Sequence, residues 1–367
     1  MTISRRDLLK GAAALSAVAA LPKLGRAQTA FAPAPGAWRN FQIVTRLEIA
    51  KPAGAVQAWI PVPSVNEALW SRTLRSSWTA NTKNAALTTD PKYGAEMVHA
   101  QWGQGAETAT IEVTSVFATR DRAVDLAPRA GVPSLSDADR RLYTAPTDLI
   151  PTDGLVKETA DKITAGKRGE IDKASALYAW IVENTFRDPK VRGCGIGDIT
   201  GMLKTGNLSG KCADLNALLV GLARASGLPA RDVYGLRVAP SKFGYKSLDA
   251  GSQNVTKAQH CRAEVFLSGI GWFPIDPADV RKVVLEEPPG NLALEDAKVV
   301  AARRALFGAW EGNWVAYNTA HDLTLPGARG PKLAFLMYPQ AEVAGARLDC
   351  LDPDTFKYTI TATELPA

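Results

Sequence analysis

The chain is 367 residues long, 46% hydrophobic and 22% charged. These are globular proportions, with length for two or three hydrophobic cores, and they exclude a fibrous, low-complexity or intrinsically disordered protein. The net charge of +6 sits mostly at one end: Arg5, Arg6, Lys10, Lys23 and Arg26 against Asp7 give residues 1–27 a charge of +4 and leave +2 for the remainder. No lysine or arginine stripe interleaved with aromatics restores a basic footprint, so no nucleic acid is expected as a partner.

The first segment reads Ser4-Arg5-Arg6-Asp7-Leu8-Leu9-Lys10, then an apolar run from Gly11 to Leu21 and small residues near Ala27. Paired arginines before such a run predict a twin-arginine export signal over 1–27, with the twin-arginine export machinery as a partner and the periplasm as destination. The run is too short to span a bilayer, so no integral membrane segment is expected in the mature chain. Between 36 and 125, alternating runs from Phe41 to Ile49, Gln57 to Val62, Glu96 to Trp102 and Thr108 to Thr119 predict an N-terminal β-sandwich domain. Residues 121–150 carry Pro128, Pro133 and Pro146 and read as a connector. Two helices are expected at about 154–166 and 172–186, the second burying Ala176, Leu177, Trp180 and Ile181. Gly193-Cys194-Gly195-Ile196-Gly197 has no G-K-[ST] ending and no dinucleotide fingerprint, so it is read as a loop near the functional site rather than a phosphate cradle.

The next segment carries chemistry. Ser209-Gly210-Lys211-Cys212 precedes apolar residues at Leu215, Leu218, Leu219, Leu222 and Ala223, the spacing of one helix face, and Gly227 and Pro229 end it. With Ser209 as N-cap, Cys212 falls in the first turn, where unpaired amides and the helix dipole favour an anion and lower the thiol pKa. Gln259 to Leu267 alternates, Gly269-Ile270-Gly271 turns, and Trp272 to Asp276 extends again: a hairpin that brings Asp276 back to His260. Strand alternation puts His260, Arg262 and Glu264 on one face and Cys261 on the other. A thiol needs an imidazole to become a thiolate at neutral pH, and the imidazole needs a carboxylate to orient it, so Cys212, His260 and Asp276 are the candidate catalytic residues.

These residues resemble the transglutaminase-like superfamily, the bacterial branch related to papain-type cysteine peptidases. The matching text is Gly210-Lys211-Cys212-Ala213-Asp214, Ala223 to Arg231, the His260 strand, and Gly271-Trp272-Phe273-Pro274-Ile275-Asp276-Pro277. The resemblance implies an α+β fold: a papain-like transglutaminase core over about 150–290, in which the cysteine-bearing helix packs on an antiparallel sheet bearing histidine and aspartate. It also implies a nucleophilic Cys212, a general base and acid His260 and an orienting Asp276. Many relatives carry an aromatic residue after the histidine where this chain has Cys261 and Arg262, so specificity does not carry over.

The implied activity is acyl transfer on protein or peptide amides through a thioester. Cysteine peptidase or amidase action, on cell-wall peptides for example, and a non-catalytic binding role are the alternatives. Substrates are then proteins or peptides, peptidoglycan peptides among them. No cofactor is expected, and with neither C-x-x-C nor H-E-x-x-H no metal is expected either. A calcium loop is also absent from the sequence. Which of Cys194, Cys261 and Cys350 pair with one another is left open. Residues 291–367 form an aromatic-rich extension expected to pack on the core. There, Trp310, Trp314 and Tyr317 recur at helical or turn spacing and serve either as core or as cleft wall, while His321-Asp322 ranks below His260 as a base.

Overall fold

The computed structural model describes residues 30–128 and 131–366; the export signal expected over 1–27 lies outside the described residues. Six strands come first: β1 (Arg39–Ala50), β2 (Val56–Pro61), β3 (Ser71–Ala80), β4 (Ala85–Thr89), β5 (Glu96–Trp102) and β6 (Thr108–Thr119). Five helices follow: α1 (Asp137–Thr144), α2 (Gly154–Ile163), α3 (Glu170–Asn184), α4 (Ile199–Thr205) and α5 (Cys212–Ala225). Then come β7 (Ala230–Arg237), β8 (Gln259–Leu267), β9 (Gly271–Ile275), α6 (Pro277–Glu286), α7 (Ala297–Ala305), β10 (Trp314–Asn318), β11 (Gln340–Val343) and β12 (Lys357–Leu365).

The N-terminal strands form two antiparallel sheets whose inner faces meet. One runs β12-β1-β6-β3; the other runs β11-β2-β5-β4, with Ala346–Arg347 pairing outside β11. Strand β1 buries every second residue, Phe41, Ile43, Thr45, Leu47 and Ile49, as one-sided burial demands. Leu47, Ile49, Ile111 and Val113 of the first sheet pack with Val56, Ala58, Ile60, Val98 and Ala100 of the second. The four alternating runs read from the sequence are all strands. Two further strands, β3 and β4, carry mostly exposed or half-buried side chains and so show little of the alternation by which strands are recognised.

The second unit is a four-stranded antiparallel sheet, β9-β8-β7-β10, covered by helices. Its centre is α5, whose fourteen residues are all buried, between β7 and β8 on one side and α2, α3 and α6 on the others. A helix apolar on every side is a core helix, which explains why its sequence extends beyond a single stripe. The β8–β9 hairpin pairs Ala263 with Ile275 and Leu267 with Gly271, the geometry expected from the two alternating runs.

The tail divides between the two units. Strand β10 pairs with β7 in the core sheet, so Trp314 and Tyr317 lie in a strand rather than on the helix or turn their spacing suggested. Strands β11 and β12 return to the N-terminal region and pair with β2 and β1, one in each sheet of the sandwich. A third cluster joins the units: Phe41, Ile43, Phe117, Ile360 and Ala362 of the first sheet pack with Leu236, Val238, Val315 and Tyr317 of the core sheet. Because Ile360 belongs to that shared cluster, Ile360→Ala is expected to cost about 2–5 kcal/mol. Urea unfolding should show one shifted cooperative transition for the whole chain, and two separated transitions would contradict a shared core.

Candidate active site

Cys212 is the first residue of α5, and its position is set by a carboxylate two residues later in the same turn. Asp214 Oδ2 accepts the Lys211 N–H at 2.9 Å, while Oδ1 accepts the N–H groups of Ile196 and Gly197, both at 3.0 Å. One side chain thus caps the helix and ties the glycine loop to it. The N-cap is Lys211, not Ser209, because Asp214 supplies the capping acceptor from inside the helix. Two glycines make room for it: a Cβ on Gly195, at φ +90°, would lie 1.9 Å from the Asp214 carboxylate, and one on Gly210 would lie 2.5 Å from its Cβ. The loop is therefore beside Cys212, as its sequence position suggested, and Cys194 O accepts the Ala213 N–H at 2.9 Å.

Opposite the helix start, His260 Nε2 lies 2.8 Å from Asp276 Oδ2 and 3.3 Å from Asp279 Oδ1. Asp276 ends the hairpin and caps α6: its Oδ1 accepts the Asp279 N–H at 3.1 Å and the Asn216 amide at 3.3 Å. Asn216, one turn after Cys212, also donates to Cys261 O at 2.9 Å, linking the helix to the histidine strand. Asp279 accepts from Arg237 on β7. Trp314 Nε1 donates to His260 O at 2.9 Å, and Trp310 and Trp314 hold the Arg262 guanidinium at 5.4 and 4.7 Å from their ring centroids. The aromatic surroundings of this strand thus come from the tail, and these tryptophans are buried packing residues rather than cleft wall.

The electrostatics follow from this crowding. Burial alone would lower the His260 pKa, but the Asp279 and Asp276 carboxylates outweigh it and raise it to about 10. The Cys212 thiol is pushed well below the ordinary thiol range by the neighbouring Cys194 and Cys261 thiols and, against burial, by the adjacent His260. Cys194 is pushed up by the neighbouring Cys212 and by burial, and Cys261 by burial and by Cys212. One negative charge therefore settles on Cys212, the thiol at the helix N-terminus. The two shifts together favour a thiolate–imidazolium pair at neutral pH.

Both groups open into a cleft of about 500 Å³. One side is apolar, from Tyr338, Leu351, Pro353, Phe356 and Tyr358; six cations also line it, against a single acid, Asp249. Asn207 bonds to its neighbour Ser209 and does not line the cleft. His321 lies elsewhere, buried with its Nε2 3.4 Å from Asp232, and burial pushes its pKa well down. All four cysteines are free thiols. Donor atoms of His260, Asp276 and Asp279 lie within 4.8 Å of one another, a spacing a metal could use. Arg237, Arg262 and Asn216 already face those carboxylates, which suits them to balance an imidazolium.

Sequence reasoning missed Asp279, Asn216 and Arg237. Asp279 had a signal, an acid three residues after Asp276 at a helix start, and Asn216 another, one helical turn from Cys212. Arg237 had none, because only strand pairing brings it near.

Residues 157–277 match the transglutaminase-like superfamily, and residues 2–22 match the twin-arginine translocation pathway signal sequence. An uncharacterized protein of Haemophilus influenzae is 38% identical over 326 residues, 85% of this chain and 87% of that one. Among solved structures, a protein of Cytophaga hutchinsonii described as a candidate cysteine protease superposes with a TM-score of 0.50 at 14% identity, covering 89% of this chain and 99% of that one. At that identity the likeness speaks for the fold. The signal marks the chain for export across the membrane, and no described helix is long and apolar enough to cross one.

The charge network sets a pH dependence. His260 has a raised folded-state pKa, so the stability it contributes is complete below its unfolded value near 6.5 and is lost as pH rises towards about 10. Asp279→Asn should lower the His260 pKa by about 1–3 units, read by NMR titration of the ring, and bring that upper limit down with it. An unchanged titration would show that Asp276 alone sets the charge.

Proposed function

Since the chain belongs to the transglutaminase-like superfamily, we propose that it is an exported cysteine-dependent enzyme that attacks protein or peptide amides through a thioester. The observation that carries this reading is that Cys212, at the first position of α5, and His260, whose Nε2 is occupied by Asp276 and whose Nδ1 is not, line the same cleft, with the thiol depressed below its ordinary range.

The thiolate attacks the amide carbonyl and forms a C–S bond. The oxyanion is met by the Cys212 backbone N–H at the start of α5, where the helix dipole adds to the donor. As the C–N bond breaks, the imidazolium gives its proton to the departing amine, leaving a thioester and neutral His260. In the second step His260 accepts a proton from the incoming nucleophile, the C–S bond breaks, and the thiolate–imidazolium pair is restored. Asp276 keeps the ring oriented and, with Asp279, offsets its charge in the protonated states. An amine as nucleophile makes the enzyme a transglutaminase; water makes it an amidase or peptidase.

The cleft lining favours the second reading, since its six cations outnumber the acids that pair with them, and the excess repels an ammonium acceptor while leaving water unaffected. The test is intact-mass analysis of a glutamine-containing protein incubated with the mature enzyme and a labelled primary amine, beside Cys212→Ala. Deamidation or cleavage that disappears in Cys212→Ala is the expected outcome; Cys212-dependent gain of amine would assign transglutaminase action instead. Modification that persists in Cys212→Ala would refute the nucleophile.

A further inference from the structure

The cleft has more positive charge than its own residues neutralise. Arg187, Arg192, Lys211, Arg237, Lys257 and Lys282 line it, and Asp249 is the one acid among the lining residues. Asp249 is already 3.4 Å from Lys246. Arg237 is matched by buried Asp279, and Arg192 by Asp349. Glu286 has to serve two cations, Arg187 in direct contact and Lys282 at 3.8 Å. Lys211 and Lys257 form no ion pair among the described residues. Burial, then the Arg237 and Arg187 guanidiniums that crowd it, push the Lys282 ammonium down to about 8. An anion entering the cleft would relieve that crowding.

Resting on the nucleophile assignment above, we propose that Lys211, Lys282 and Lys257 select an acyl donor with carboxylates beside the amide that Cys212 attacks, so that the substrate class is an acidic peptide. A cleft of about 500 Å³ with one apolar side has room for several peptide side chains, and a carboxylate is the anion that a peptide presents next to its own amides. The cations line the same cleft as the reacting sulfur, and its low-dielectric walls focus their field. Lys211 adjoins Cys212 in the chain, and Arg187 pairs with Gly210 across a short parallel bridge. Lys282 is on α6, two turns from the Asp276 cap. The site would accept glutamate- or aspartate-flanked amides and disfavour lysine-flanked ones.

Two alkylating probes of nearly equal size separate this inference from the reading beneath it. Iodoacetamide reports the reactivity of Cys212; iodoacetate adds a negative charge. The ratio of iodoacetate to iodoacetamide rates at Cys212, relative to a blocked free cysteine, should exceed about tenfold at low salt and fall as salt is added. The His260 imidazolium itself favours the anion, so the variants are decisive: Lys211→Gln and Lys282→Gln should each cut the ratio by about threefold. A glutamate-flanked glutamine peptide should also protect Cys212 from iodoacetamide at lower concentration than its lysine-flanked counterpart. Fast iodoacetamide labelling with an unaltered ratio in both variants, or equal protection by the two peptides, would overturn the selection of acidic substrates while leaving the nucleophile intact. Labelling of Cys212 no faster than of Cys350 would remove the nucleophile and this inference together.

Discussion

A charged imidazole cannot be buried without matching charge, and the arrangement around His260 is built to that condition. In direct contact are two carboxylates, Asp276 and Asp279, and two guanidiniums, Arg237 on Asp279 and Arg262 3.8 Å from Asp276. With His260 protonated the cluster has three cations and two anions, and a thiolate on Cys212 completes the balance. The same groups that raise the histidine therefore stabilise the anion that a nucleophile must carry. Arg262 is held by Trp310 and Trp314, aromatic rings that come to it from the tail.

Position is supplied by a second set of contacts, joined to the first at Asp276. Asp214 fixes the start of α5 and the glycine loop together, and Asn216 ties the following turn both to the His260 strand and to Asp276. The helix is enclosed throughout its length, so Cys212 is presented by a rigid element rather than by a loop. The tail then closes the arrangement: β10 extends the core sheet, β11 and β12 complete the sandwich, and the segment between those last two strands provides Leu351, Pro353 and Phe356 to the cleft. The sandwich and the site are consequently parts of one folded body, joined through the Ile360 cluster.

Much of this was legible in the sequence wherever the signal was local. The α5 periodicity and its stop at Gly227 and Pro229 place Cys212 at a helix start, and the alternation on either side of Gly269-Ile270-Gly271 brings Asp276 back to His260, while the packing of that helix on that hairpin was implied only by the family resemblance. What was illegible depended on contacts between distant segments. The return of residues 340–365 to the N-terminal sheets leaves no mark in local pattern, and β3 presents so many exposed polar residues that its alternation is lost. Trp310, Trp314 and Tyr317 recur at helical or turn spacing by chance: Trp310 lies in a two-residue strand paired with Arg122–Ala123, and the other two lie in β10, a buried strand where every position is apolar or satisfied. Ser209 looked like the cap because its residue type is right; Asp214 took the role through geometry that only the folded loop creates.

The account turns on the resting charge of one sulfur, and ultraviolet difference absorbance of the thiolate against pH measures it directly. Wild type compared with Cys212→Ser should show a one-thiolate step centred well below the ordinary thiol value of about 8.5, absent from the variant, with the other three thiols titrating above that value. A first step near or above the ordinary value, or one that survives in Cys212→Ser, would contradict the thiolate–imidazolium pair and the mechanism built on it.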